Sequence, residues 1–281
     1  MSNKKIGFCF TGEGARGSIQ SGIALSLSLK GIKPDLTIGI SSGSICAASY
    51  SYLGPQGLAD MWHNISNVFD VFGINYMFWN KTGVMNQKPM KKIVENAVKN
   101  DPICESVVSK MNIHTGEMQY VSNMQVTKEE FVKSVLGSVA ITGLVQDVDG
   151  WVDAGSRQLA PLKQCIDYGC NEIYLIMGRP LALSYWEKPN GYLKPAEMAF
   201  RALDISLYEI MIRDINESIK NENDPYYKGI NIYLMEPKEL LFDSVFFNKC
   251  KSGVEYGKTE YNKYNKKAIK SLFKKGILNE Y

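Results

Sequence analysis

Residues 36–52 read LTIGISSGSICAASYSY, an apolar run, a glycine-flanked turn and a small-residue stretch in succession. Leu36 to Ile40 is a short apolar run of the kind buried in a parallel sheet, and Ile45 to Tyr52 is rich in small residues at helical spacing. Between them Gly39-Ile40-Ser41-Ser42-Gly43 is a GxSxG pentapeptide placed where a strand turns sharply into a helix. The flanking glycines permit a strained turn and close packing, so Ser41 projects above the sheet with its hydroxyl near a helix N-terminus. A serine in a glycine turn can also be purely structural, and the strand-to-helix setting is what argues for a nucleophile instead.

The same pattern stands immediately upstream. Ile6 to Thr11 (IGFCFT) reads as a buried strand, Gly12-Glu13-Gly14-Ala15-Arg16-Gly17 as a tight loop, and Ser18 to Leu29 as a helix. Two consecutive strand-turn-helix units predict an α/β fold, a mainly parallel central sheet flanked by helices in a three-layer sandwich. Taken alone, the GxGxxG loop would suit a dinucleotide pyrophosphate and a nucleotide-binding oxidoreductase. That reading needs an acid closing the second strand, and Asp35, at nearly the right spacing, precedes the strand instead. Beside the elbow, the loop's N–H groups have a second use, the stabilisation of an oxyanion. Further strands are expected at Gln119 to Met124, Ile173 to Met177 and Ile230 to Leu234, with helices near Lys128 to Val139 and Ala196 to Ile219. No repeat or linker divides residues 1–281, so one domain is expected.

A third element, Trp151-Val152-Asp153-Ala154-Gly155, places an acid after a short apolar segment, with Leu159-Ala160-Pro161-Leu162 downstream. The order GxGxRG, GxSxG, DxG with a following Pro resembles the patatin-like phospholipase family, and Ser138-Val139-Ala140-Ile141-Thr142-Gly143 resembles its Ser-x-Ala-x-x-Gly segment. The resemblance runs from about Ile6 to Leu162. It implies a lipid acyl hydrolase of the phospholipase A or lysophospholipase type. In this scheme Ser41 forms the acyl-enzyme, Asp153 is its base, and the amides around Gly12, Glu13 and Gly14 hold the oxyanion. Arg16 and Gly17 would position the loop, Arg16 either orienting a phosphate or tying the loop to a carboxylate. The chain departs from the family pattern at Glu13 and Ala154, where the family usually has Gly. Should position 13 need a positive φ, Glu there costs on the order of 1 kcal/mol. A catalytically inert lipid-binding member of the fold is the main alternative.

A triad of the usual order is excluded, because no histidine follows position 114. His63 and His114 read as structural, which leaves a dyad. A free Asp near pKa 3.9 is a poor base, so the scheme requires desolvation and a short hydrogen bond. The aromatic stretch 68–79, VFDVFGINYMFW, reads as a cap or lid in which Phe69, Phe72, Tyr76, Phe78 and Trp79 border an acyl-chain site. No cofactor or metal is called for: six cysteines lack CxxC spacing and read as reduced packing residues, two histidines are too few for a histidine-rich site, and no calcium loop is present. No signal peptide and no span of about 18 apolar residues is seen, which points to a cytoplasmic protein. Its expected partner is a lipid. Residues 258–281 are locally basic, with Lys258, Lys263, Lys266, Lys267, Lys270, Lys274 and Lys275 interleaved with Ile269, Leu272, Phe273 and Ile277. That pattern suits either peripheral contact with an anionic membrane or a terminal helix docked on the core. No nucleic-acid module is recognisable.

Overall fold

The computed structural model describes residues 4–76, 79, 81–181, 195–220, 225–261 and 267–268. In chain order the elements are β1 (Ile6–Phe10), α1 (Gly17–Leu29), β2 (Leu36–Gly39), α2 (Ser42–His63), β3 (Gly73–Ile74), β4 (Gly83–Asn86), α3 (Lys88–Ala97), β5 (Glu105–Asn112), β6 (Met118–Ser122), α4 (Lys128–Ser138), β7 (Gly143–Val145), β8 (Trp151–Val152), α5 (Leu162–Asp167), β9 (Glu172–Ile176), α6 (Pro195–Lys220), β10 (Asn231–Met235), α7 (Cys250–Tyr261) and β11 (Lys267–Ala268). β10, β9, β1, β2 and β5 lie side by side in that order and run parallel. Antiparallel strands close the edges: β6 and β8 on β5, β11 on β10.

Helices cover both faces, and the strand alternation of side chains sorts residues between two cores. Phe8 and Phe10 of β1 and Tyr174 and Ile176 of β9 pack with α1, α2 and α7. Cys9, Ile173, Leu175 and Met177 point the other way, onto Leu162 and Cys165 of α5 and Tyr208 and Met211 of α6. A strand buried on both faces favours apolar residues throughout, which is why β1 and β2 read as apolar runs, with Thr37 of β2 satisfied by the Ala47 carbonyl at 3.0 Å. The three-layer sandwich expected from the two repeated units is present.

β5 escapes that signature. It sits inside the sheet, yet its sequence ESVVSKMN is interrupted by Ser106, Ser109 and Lys110, all buried. Lys110 is accommodated by placing its ammonium 4.5 Å from the centroid of the Trp151 ring. α2 also exceeds its expected end at Tyr52 and runs on to His63; Gly54, at φ 73°, kinks it just before Pro55.

The lid expectation needs correction at one residue. Phe72 is buried in the core, its ring edge-on to Phe247 at 6.3 Å, so it packs rather than lines an acyl site. Phe69, Tyr76 and Trp79 are exposed, and Phe78 lies outside the described residues. Strand pairing explains how this segment is held: β3 pairs with β4 and β4 with β7, which joins Gly73–Ile74 and Gly83–Asn86 to the chain leading into Asp153. At the C-terminus Lys258 lies in α7, which packs on α1, and Lys267–Ala268 form an edge strand on β10 instead of part of a helix. Lys263, Lys266, Lys270, Lys274, Lys275 and the apolar residues Ile269, Leu272, Phe273 and Ile277 lie outside the described residues. No described helix is long and apolar enough to cross a membrane. Urea unfolding separates core from lid: Phe72→Ala should lose about 3 to 5 kcal/mol and Phe69→Ala less than about 1 kcal/mol.

Candidate active site

The turn from β2 into α2 places Ser41 at φ 55°, ψ −128°, one of only two described non-glycine residues with positive φ. Such a backbone costs about 1 to 3 kcal/mol and persists only where its surroundings enforce it. Close packing of the flanking glycines does so. A Cβ on Gly39 would overlap the Gly43 carbonyl, and one on Gly43 would overlap the carbonyl of Phe10. A chain of hydroxyls completes the restraint: the Ser41 N–H donates to Ser138 Oγ at 3.1 Å, and Ser138 Oγ lies 2.7 Å from Ser44 Oγ. Ser44 spends its proton on the Gly39 carbonyl at 2.7 Å, so Ser138 must donate to Ser44.

Asp153 follows β8 and is aimed by its backbone. Its N–H donates to the Ala140 carbonyl at 2.9 Å, and its Oδ1 accepts the Gly155 N–H at 2.8 Å. Its other oxygen, Oδ2, accepts the Ser41 hydroxyl at 2.6 Å. Burial pushes the carboxyl up to about 6, against the lowering effect of the Ser41 and Gly155 hydrogen bonds. Ala154, where glycine is usual, costs nothing: it has no positive φ, and its methyl packs with Ile40, Met111 and Val152.

The glycine loop beside Ser41 is more occupied than expected. The Gly12 N–H donates to the Leu159 carbonyl at 3.2 Å, and the Glu13 N–H donates to Ser42 Oγ at 2.9 Å. Both amides are therefore engaged within the protein, whereas that of Gly14 makes no hydrogen bond among the described residues. The left-handed position in the loop is Gly14, at φ 58°; Glu13 has φ −149° and carries no such strain. The anticipated backbone cost at position 13 is absent.

Of the two readings of Arg16, the contacts match the tie to a carboxylate. Its guanidinium is wholly buried, Nε–H donating to the Phe242 carbonyl at 2.8 Å, with Asp204 at 3.6 Å and Glu13 at 3.9 Å. It ties the loop to carboxylates and cannot reach a ligand phosphate. Gly17 is a packing position, where a Cβ would overlap the Trp62 ring. His63 ends the helix that Ser42 begins, and His114 sits in the turn between β5 and β6; neither bonds to Ser41 or Asp153. Among the described residues no three His, Cys, Asp or Glu side chains converge as metal ligands, and all six cysteines are free and buried.

Sequence reasoning missed Arg179 and Asp214. Arg179 follows β9 and donates to Glu13 Oε2 at 3.0 Å and Asp204 Oδ1 at 2.8 Å. An arginine directly after a buried strand, at the sheet end that carries both glycine loops, is the signal that would have found it. Asp214 of α6 accepts the N–H groups of Leu159 and Ala160 at 2.6 and 3.1 Å, and so holds the segment on which Gly12 rests. Nothing in a helical acid's spacing reveals that contact.

The family model described as Patatin-like phospholipase matches residues 8–166, which contain Ser41, Asp153 and both loops. Among solved structures the chain is similar to VipD from Legionella pneumophila, at 11% identity and a TM-score of 0.41, over 94% of this chain and 68% of that one. No curated protein matches it.

A carboxyl raised from 3.8 to about 6 binds its proton more tightly in the folded state, so ionising Asp153 costs stability that grows as pH rises through this interval. Asp153→Asn keeps a partner for both Ser41 and Gly155 and removes that cost. The variant should melt a few degrees above the parent at pH 7, and the difference should vanish near pH 4; equal melting at pH 7 would contradict a desolvated carboxylate.

Proposed function

Because this chain belongs to the patatin-like phospholipase family, we propose that it is a serine-dependent lipid acyl hydrolase, of the phospholipase A or lysophospholipase type, working through a Ser41–Asp153 dyad. The observation that carries this reading is the 2.6 Å hydrogen bond from Ser41 Oγ to Asp153 Oδ2, made by a serine on a strained elbow to a carboxylate kept partly dry. Asp153 is raised toward the operating range of a general base, and it is already in contact with the proton it must take.

In the reaction Ser41 Oγ attacks the ester carbonyl carbon while its proton passes to Asp153 Oδ2. The carbonyl oxygen gains the negative charge and is met by the Gly14 N–H. The Glu13 N–H is committed to Ser42 Oγ, one residue from the nucleophile, and so holds the loop against the elbow while Gly14 donates. Collapse of the tetrahedral species breaks the ester C–O bond, and the departing alcohol takes the proton from Asp153. Water then attacks the acyl-enzyme, Asp153 accepts its proton, and Ser41 recovers it as the fatty acid leaves. The exposed aromatics Phe69, Tyr76 and Trp79 supply apolar surface for lipid, and the lysines after Lys258 supply attraction to an anionic bilayer.

Labelling with a fluorophosphonate, with the adduct located by mass spectrometry, tests the nucleophile: Ser41 should be modified and Ser41→Ala should not react. An unmodified Ser41 in folded protein would favour the inert lipid-binding alternative. Asp153→Asn should lower kcat on a soluble ester by at least about 10³-fold, and Ser41→Ala combined with it should be no worse than either alone. Since the base works only when ionised, kcat/KM of the parent should fall about tenfold per pH unit below an acid limb near 6 and level off above it. A pH-independent profile from 5 to 8 would remove Asp153 as the base.

A further inference from the structure

Glu13 ties together the loops that follow three neighbouring strands. Its backbone N–H reaches Ser42 Oγ after β2. Its Oε1 accepts the Thr11 hydroxyl at 2.5 Å within its own loop and the Gly178 N–H at 2.8 Å after β9, while Oε2 accepts Arg179 Nε–H at 3.0 Å. Gln20 of α1 fixes Thr11 in turn, donating to its hydroxyl and carbonyl at 2.8 and 2.9 Å. Arg179 extends the link to Asp204 of α6, whose carboxyl is held below its ordinary value by the Arg179 and Arg16 guanidiniums, although its burial acts the other way. Glu13 and Arg179 are 3% and 2% exposed.

A buried ion pair is a poor source of stability, because apolar side chains of similar volume often serve as well. What it adds is direction. Hydrogen bonds to both carboxylate oxygens fix the orientation of Glu13, and with it the aim of its own N–H and of the adjoining Gly14 N–H. We propose that Arg179, acting through Glu13, is a positioning residue that sets the aim of the Gly14 amide, the open oxyanion donor of the Gly12–Gly14 loop; the inference rests on the Ser41 hydrolase reading. Arginine is required because its rigid fork presents Nε to Glu13 and Nη2 to Asp204 together, which the single ammonium of lysine cannot reproduce.

The test uses two mild variants, Arg179→Lys and Glu13→Gln, and their combination, with kcat expressed per Ser41 titrated by fluorophosphonate. Each single variant should lose at least about tenfold in kcat on a soluble short-chain ester, with KM within about twofold of the parent. The rate of Ser41 phosphonylation should fall alongside, since the phosphonyl oxygen uses the same donor. The double variant should be no worse than the poorer single one, and the acid limb near 6 should stay in place because Asp153 is outside this network. A merely structural pair would lower the melting temperature and leave kcat per titrated site unchanged. The proposal is overturned by folded variants with kcat within about twofold of the parent. Losses that multiply in the double variant, or failure of both singles to fold, would overturn it too. If the parent itself does not label at Ser41, the hydrolase reading fails and takes this inference with it; a labelled parent with unaffected variants sinks the positioning role alone.

Discussion

Ser41 stands at φ 55°, ψ −128°, and nearly every contact around the site serves to keep it there. The elbow glycines let β1, β2 and the start of α2 approach without a Cβ between them, and Ser138 accepts the N–H of Ser41 itself. The strain and the exposure of the hydroxyl share a cause: only a turn this sharp lifts a side chain off the end of a buried strand while the backbone remains enclosed.

The same enclosure governs the charge of the site. Asp153 is dry enough to be raised to about 6, yet two hydrogen bonds oppose the shift and keep its ionised form accessible. Asp214 is raised to about 6 as well, burial again outweighing the hydrogen bonds that it accepts from Leu159 and Ala160. One carboxylate faces Ser41, and the other supports the segment beneath Gly12 from the far layer. The site thus carries carboxylates whose ionisation works against folding, the cost of placing an acidic side chain where water is scarce.

Departures from the family pattern are absorbed by different means. At Ala154 the backbone has ordinary dihedrals and the methyl finds apolar neighbours, so the substitution is a packing matter. At Glu13 an ionisable side chain enters the crevice between β1 and β9, where the chain turns to opposite sides of the sheet, and the fold answers with Arg179, Thr11 and the Gly178 amide. A glycine there would remove the side-chain link between the loops after β1 and β9.

Much of this was legible in the sequence, because the signals are local. Apolar runs ending at glycines define β1 and β2, and serine between two glycines at a strand end defines the elbow. Asp153 after a short apolar segment, in family order, marks the acid. These depend on backbone geometry and strand burial, which neighbouring residues determine. β5 was illegible because buried Ser106, Ser109 and Lys110 break its apolar run, and Lys110 is accommodated only by Trp151, far along the chain. Tertiary structure alone decided that Phe72 belongs to the core, that Arg16 is sealed away from any ligand, and that the Gly12 and Glu13 amides already have acceptors in Leu159 and Ser42. It also joined Glu13 to Arg179 across 166 residues of chain. A hydrogen bond or a burial is a relation between groups that only folding brings together, and composition along the chain carries no record of which distant partner will fill it.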